Sequence, residues 1–200
     1  MILKIRRKEK KFGDVTISGA KNSAIPIIVA SLLTNEKVIL HNIPDIKDVR
    51  TLLEIIGKLG PQCTFTNNTL TIYPTKKVKT TIFDDNVRKM RGSYYLLGAF
   101  LSKYKKIKMY NQGGCDLGYR PINFHLDGFK RMGTHIIETT TFISLKARKL
   151  LPAIHNLDFP SVGATINLML ASVLVKGKTI INNCAKEPEI IDVANFLKAM

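Results

Sequence analysis

Apolar and polar positions follow one order along this chain, three times over. The stretches "GAKNSAIPIIVASLLTNEKVILHN" (19–42), "KMRGSYYLLGAFLSKYKKIKMYN" (89–111) and "FPSVGATINLMLASVLVKGKTIINN" (159–183) align with one another. Each opens on small and polar residues suited to a helix N-terminus. Each continues as an apolar run of helical length, with small residues such as Ala30, Gly98 and Ala171 inside it. A lysine-containing turn follows, then a short alternating strand: "KVILHN", "KIKMYN" or "KTIINN".

The next segments repeat too. "IPDIKDVRTLLEIIGKLG" (43–60), "PINFHLDGFKRMG" (121–133) and "PEIIDVANFLKAM" (188–200) space their apolar residues at i, i+3, i+4, as amphipathic helices do. Gly60 and Gly133 stand where a C-cap glycine belongs. Hairpins are predicted over "CTFTNNTLTIYP" (63–74), turning at Asn67-Asn68, and over "THIIETTTFISLKA" (134–147). The predicted unit is helix, strand, helix, strand, strand, with a period of about 70 residues. It occurs twice in full, over about 21–88 and 89–158, and a third copy over 159–200 stops at Met200 before its glycine and hairpin. A repeat cut short leaves its last helix without a packing partner, so a longer polypeptide is expected.

Composition narrows the classes. A hydrophobic content of 45% suits a globular core. Apolar runs such as "AIPIIVASLL" (24–33) fall well short of the roughly 20 residues of a membrane span. No apolar stretch of signal-peptide length follows the charges of "MILKIRRKEKKFG", so a cytoplasmic chain without membrane partners is expected. Three cysteines without CxxC spacing and four scattered histidines argue against a disulfide framework or a metal cluster. The net charge of +16 fits either nucleic acid or anionic small substrates. Its lysines are spread along the whole chain, and no RNP, zinc-finger or basic-heptad pattern accompanies them. Nucleic acid is therefore not the expected partner.

Candidate chemistry clusters at the repeat openings "SGAKN", "RKMRGS" and "PSVGAT". Free backbone N–H groups and the helix dipole make such ends receptive to phosphate, and Lys21 and Arg91 add full charges at two of them. The competing reading is simple N-capping by Ser18, Ser93 or Ser161. The second repeat also departs from the first by inserting "QGGCDLGYR" between strand and helix. Cys115 on this glycine-flanked loop is either a structural thiol or a reactive one. Arg120 or Lys21 nearby would lower its pKa, and Asp116 would oppose that. His125 reads as a core or surface histidine. Glu187, Glu189 and Asp192 in "KEPEIID" read as complements to a helix dipole, or else as an acid site.

Taken in order, "SGAKNSAIPIIVASLL", "NIPDIKDV", "KMRGSYYLLG", "GGCDLGYRPINFHL", "SVGATINLML" and "AKEPEIIDVANFL" resemble the amino-terminal half of the UDP-N-acetylglucosamine 1-carboxyvinyltransferase family, from about residue 13 to residue 200. The resemblance implies an α/β fold of two globules, each an inside-out α/β barrel of three repeats with helices at its centre. Residues 21–200 would form the first globule, and 1–20 would belong to the second. It implies enolpyruvyl transfer from phosphoenolpyruvate to the 3-hydroxyl of UDP-N-acetylglucosamine, the first committed step of peptidoglycan synthesis, with no metal or organic cofactor. Cys115 would be the general acid and the thiol that fosfomycin alkylates. Lys21, Asn22 and Arg120 would hold phosphoenolpyruvate. Arg91, Arg120, Pro121, Ile122, Asn123, Phe124, Ser161 and Val162 would bind the UDP-sugar.

Three departures from the family pattern stand out: Asn123 where many members have Asp, Phe159 where some have Lys, and Asp116 where a small or hydroxyl residue is common. The family's base and further phosphate-binding arginines come from the other globule, so the carboxy-terminal half of the polypeptide is an expected partner and the 200 residues alone are expected to turn over little. The alternatives are a related enolpyruvyl transferase acting on shikimate phosphate, against which the Cys115 loop argues, and a non-catalytic basic nucleic-acid-binding protein.

Overall fold

The computed structural model describes residues 4, 6, 13–111 and 122–200. In chain order the first repeat contains α1 (Lys21–Ala30), β1 (Val38–Leu40), α2 (Lys47–Leu59), β2 (Gln62–Thr66) and β3 (Thr69–Tyr73). β4 (Thr81–Ile82) and α3 (Asp85–Lys89) lead into the second repeat, which contains a 3-10 turn at Arg91–Tyr94, α4 (Tyr95–Tyr104), β5 (Lys106–Tyr110), α5 (Asn123–Arg131), β6 (His135–Glu138) and β7 (Phe142–Lys146). β8 (Ile154–Asn156) leads into the third, which contains α6 (Val162–Ser172), β9 (Ile180–Asn182) and α7 (Pro188–Ala199).

The three apolar runs form the centre. α1, α4 and α6 are apolar on nearly every side, and a helix of that kind must be surrounded by protein. Ile28, Val29, Leu96, Leu97, Ile166 and Leu168 accordingly have no exposed surface. α2 covers this core with one face, burying Val49, Leu52, Ile55, Ile56 and Leu59. The strands lie outside the helices in three separate sheets, ordered β1-β3-β2, β4-β5-β7-β6 and β8-β9. This is the inside-out α/β arrangement, with no hydrogen-bonded closure into a barrel among the described residues.

Local chemistry fixes the elements as the sequence implies. Asn67 and Asn68 both take positive φ in the first hairpin, which sets Cys63 opposite Ile72 and Phe65 opposite Leu70. Gly60 ends α2 at φ +128°, where a Cβ would lie 2.6 Å from the Lys77 carbonyl oxygen.

Two expectations need correction. The repeat unit carries one more strand than its pattern shows. β4 pairs parallel with β5, and β8 with β9, so a strand precedes the central helix in the second and third repeats. These strands have only two and three residues and bury only Ile82 and His155, which leaves no alternation to read. Capping by serine also holds at one opening out of three. Ser161 Oγ accepts from the Ala164 N–H at 3.3 Å. Ala20, not Ser18, precedes α1 and makes no side-chain cap. Ser93 is buried and donates to the Val87 carbonyl at 3.1 Å.

α4 and α6 approach too closely for a side chain at residue 98: a Cβ there would stand 2.3 Å from the Asn167 carbonyl oxygen. Asn167 is fully buried and uses the contact. Its Oδ1 accepts from the Gly98 N–H at 2.8 Å, and its Nδ2 donates to the Tyr94 carbonyl at 2.8 Å. Tyr94 and Gly98 are four residues apart, so one side chain of α6 bridges two backbone groups that a helix would join itself.

Candidate functional site

The N-terminal ends of the three central helices open on one cleft of about 450 Å³. α1 presents Lys21 and Asn22 in its first turn. Arg91 and Gly92 come from the 3-10 turn that leads into α4, and Ser161, Val162 and Gly163 from the start of α6. Three repeats with the same opening, packed around a common centre, bring three sets of helix-end N–H groups to one place. The cleft therefore gathers five of the residues predicted to bind substrate: Lys21, Asn22, Arg91, Ser161 and Val162.

Three further predicted residues, Ile122, Asn123 and Phe124, stand outside its lining. Ile122 is buried just before α5, and exposed Asn123 and half-buried Phe124 begin that helix; none of the three lines the cleft. Cys115, Arg120 and Pro121 fall within 112–121, outside the described residues. Phe159 is exposed two residues before Ser161.

The sequence gives no sign of Asp48 or Tyr95 and leaves Glu189 as either a dipole complement or part of an acid site. Asp48, in the first turn of α2, pairs with the Lys21 ammonium, both side chains being about half exposed. Glu189, in the first turn of α7, accepts from Asn22 Nδ2 at 3.1 Å, and Asp192 accepts from Ser23 Oγ. These carboxylates thus complement the N-terminus of α1 as well as that of their own helix. Among the described residues, the charged ones lining the cleft are Lys21, Arg91, Asp48 and Glu189, two of each sign. The surplus of positive charge on the chain is not concentrated in the described region of the cleft. Its receptiveness to anions there comes from helix ends and from Lys21 and Arg91, the first of which already holds a carboxylate.

Two further groups shape the cleft. Tyr95 lines it with its hydroxyl pushed up to about 12, first by burial and then by Glu189, against the opposing pull of Arg91. His125 stands behind Gly163, where a Cβ would come within 3.2 Å of its ring. Burial, and secondly the Arg91 charge, push His125 down to about 3, so it is neutral. No group of three or more metal-ligating side chains occurs among the described residues. No helix among them is long and apolar enough to cross a membrane.

Comparison with known proteins gives this arrangement a family. Residues 5–200 match the family described as EPSP synthase (3-phosphoshikimate 1-carboxyvinyltransferase). The chain is 46% identical over 196 residues to UDP-N-acetylglucosamine 1-carboxyvinyltransferase 2 of Listeria monocytogenes, covering 98% of this chain and 46% of that protein. It is 45% identical over 188 residues to the Bacillus subtilis protein of the same name, covering 94% and 44%. The chain spans about half the length of the curated relatives it matches. Among solved structures, the enolpyruvyl transferase NikO from Streptomyces tendae superposes with a TM-score of 0.79 at 22% identity, over 90% of this chain and 43% of that one. EPSP synthase from Acinetobacter baumannii superposes with a TM-score of 0.72 at 18% identity, over 90% and 42%. These two likenesses are likenesses of fold. The chain belongs to the EPSP synthase (3-phosphoshikimate 1-carboxyvinyltransferase) family and is similar, at 44–47% identity, to members named UDP-N-acetylglucosamine 1-carboxyvinyltransferase.

Proposed function

We propose that the chain is the amino-terminal half of an enzyme that transfers enolpyruvyl from phosphoenolpyruvate to the 3-hydroxyl of UDP-N-acetylglucosamine. The observation that carries this reading is the convergence of Lys21, Asn22, Arg91, Ser161 and Val162 on one cleft at three helix ends. The names of the curated relatives supply the substrate. In this reading Lys21, Asn22 and Arg120 hold phosphoenolpyruvate. Arg91, the stretch from Arg120 to Phe124, and Ser161-Val162 hold the UDP-sugar, which on this reading extends past the lining of the cleft to the start of α5.

The Cys115 thiol delivers a proton to the methylene carbon of phosphoenolpyruvate while the sugar 3-hydroxyl gives its proton to a base from the carboxy-terminal half and its oxygen bonds to the adjacent carbon. From that tetrahedral adduct inorganic phosphate leaves, a base takes one methyl proton, and the double bond re-forms as the enol ether of the product. Residues 21–200 act as one globule, and 1–20 pair with the remainder of the polypeptide. The setting is the cytoplasm, and the step belongs to peptidoglycan synthesis.

The test is fosfomycin labelling of the full polypeptide in the presence of UDP-N-acetylglucosamine, read by peptide mass. One adduct on Cys115 that depends on the nucleotide sugar is the expected result. Adducts on Cys63 or Cys184 instead, or none, would overturn the assignment. Binding of shikimate phosphate in place of the nucleotide sugar would favour the other substrate class, which the family name and the fold likeness to EPSP synthase bring forward.

A further inference from the structure

Three consecutive residues at the start of α1 each hold a carboxylate from another helix. Lys21 pairs with Asp48 of α2, Asn22 donates to Glu189 and Ser23 to Asp192, both of α7. This is the end of α1 that faces the cleft, where helix dipole and ammonium charge together favour an anion. Two of these carboxylates, Asp48 and Glu189, line the cleft beside it.

The contacts differ in what they can release. Glu189 and Asp192 are bonded to neutral side chains and tie α7 to α1, so releasing them would pull these packed helices away from each other. Among the described residues Asp48 holds only the Lys21 ammonium, in an ion pair whose side chains are 54% and 41% exposed. Exposed pairs of this kind are weak and open readily. A phosphate dianion carries up to twice the charge of a carboxylate and more acceptor oxygens, so it competes well for the same ammonium.

We propose that Asp48 is a positioning residue that serves as the built-in counter-anion of Lys21: it keeps the ammonium in the cleft when no ligand is bound and yields it to the phosphate group of an incoming ligand. This rests on the reading of the cleft as a phosphate site. Asp48 then also weakens phosphate binding, because its own charge opposes the anion that takes its place. A residue that only stabilises local structure would have the opposite effect when removed.

The experiment measures inorganic phosphate binding by calorimetry at low ionic strength for wild type, Asp48→Asn, Lys21→Met and the double variant. Circular dichroism confirms folding, and Asp48→Ser serves as a second substitution. Asp48→Asn is expected to bind phosphate about 3- to 10-fold more tightly, an effect of the size two charges produce near a protein surface. The gain should vanish in the Lys21→Met background and shrink at high salt. Phosphate binding that depends on Lys21 but is unchanged or weakened by both Asp48 substitutions would overturn the counter-anion role and leave the cleft reading standing. Binding indifferent to Lys21, or none to any variant, would overturn both.

Discussion

The Nδ1 atom of His125 accepts a hydrogen bond from the Asn167 side-chain amide at 2.9 Å, inside the contact between α5 and α6. The direction is fixed by the rest of the network. Asn167 Oδ1 faces the Gly98 N–H, so Nδ2 is the donor and His125 carries its proton on Nε2. A buried neutral imidazole in this position ties stability to pH.

Stability should fall as the solution is acidified from neutrality. His125 is pushed down to about 3 by burial and, second, by Arg91. His155 is lowered by burial and, second, by Arg131, and neither of its ring nitrogens has a partner among the described residues. Between about pH 6.5 and the folded value the unfolded chain binds a proton that the folded chain refuses. Stability is thus complete above about pH 6.5 and is lost below it, at up to about 1.4 kcal/mol per pH unit for each such histidine. Urea midpoints measured at pH 7 and pH 5 should show this loss. His125→Gln should have the flatter profile, and equal slopes in both proteins would refute the assignment.

Removing the Asn167 amide should cost more than its volume suggests. Asn167→Ala removes the hydrogen bonds its amide makes to the Gly98 N–H, the Tyr94 carbonyl and His125 Nδ1 in a buried interface. Each loss of this kind costs about 1–3 kcal/mol, and an overall loss of about 2–4 kcal/mol is expected. Chemical denaturation of the variant checks it, and a loss under about 1 kcal/mol would show that water or rearrangement satisfies these groups.

Two glycine substitutions should separate rigid from yielding contacts. At Gly98 a Cβ would meet the backbone oxygen of Asn167 at 2.3 Å, whereas at Gly128 its nearest neighbours would be atoms of the Leu168 side chain, with Cδ2 also at 2.3 Å. A leucine can change rotamer and a helix backbone cannot. Gly98→Ala is expected to lose about 2–3 kcal/mol or fail to fold, and Gly128→Ala clearly less. Melting temperatures of the pair decide it, and equal shifts would contradict the distinction.

Cys63 should be a slow thiol. Burial pushes it up to about 11, so at pH 8 only about one molecule in a thousand carries the reactive thiolate. Iodoacetamide at pH 8 should therefore modify Cys63 far more slowly than an unstructured peptide thiol, and denaturant should abolish the protection. Rapid modification of the folded protein would show that the site opens.

Long elements were legible in the sequence because their patterns are local. α2 shows its buried stripe over 13 residues, and the first hairpin shows both its alternation and its Asn-Asn turn. β4 and β8 were not legible: they are too short to alternate and exist through pairing with strands whose sequence positions lie beyond a helix. The cleft was only partly legible for the same reason. Lys21, Arg91 and Ser161 announce themselves at repeat openings, but nothing near Asp48 in the sequence points to Lys21. The Asn22–Glu189 contact spans 167 residues. Charges that balance across such distances leave no local signal, so in a chain of net charge +16 the described residues of the cleft still carry cations and carboxylates in equal number.

The bridge that Asn167 makes between Tyr94 and Gly98 has a consequence for how the centre of the molecule comes apart. The first turn of α4 is spliced to a side chain of α6, so α4 cannot fray there by itself. Opening it requires the two helices to separate. In hydrogen exchange the Gly98 amide should therefore behave as a sensor of its neighbour, released with the amides of mid-α6 and later than a helix end ordinarily allows.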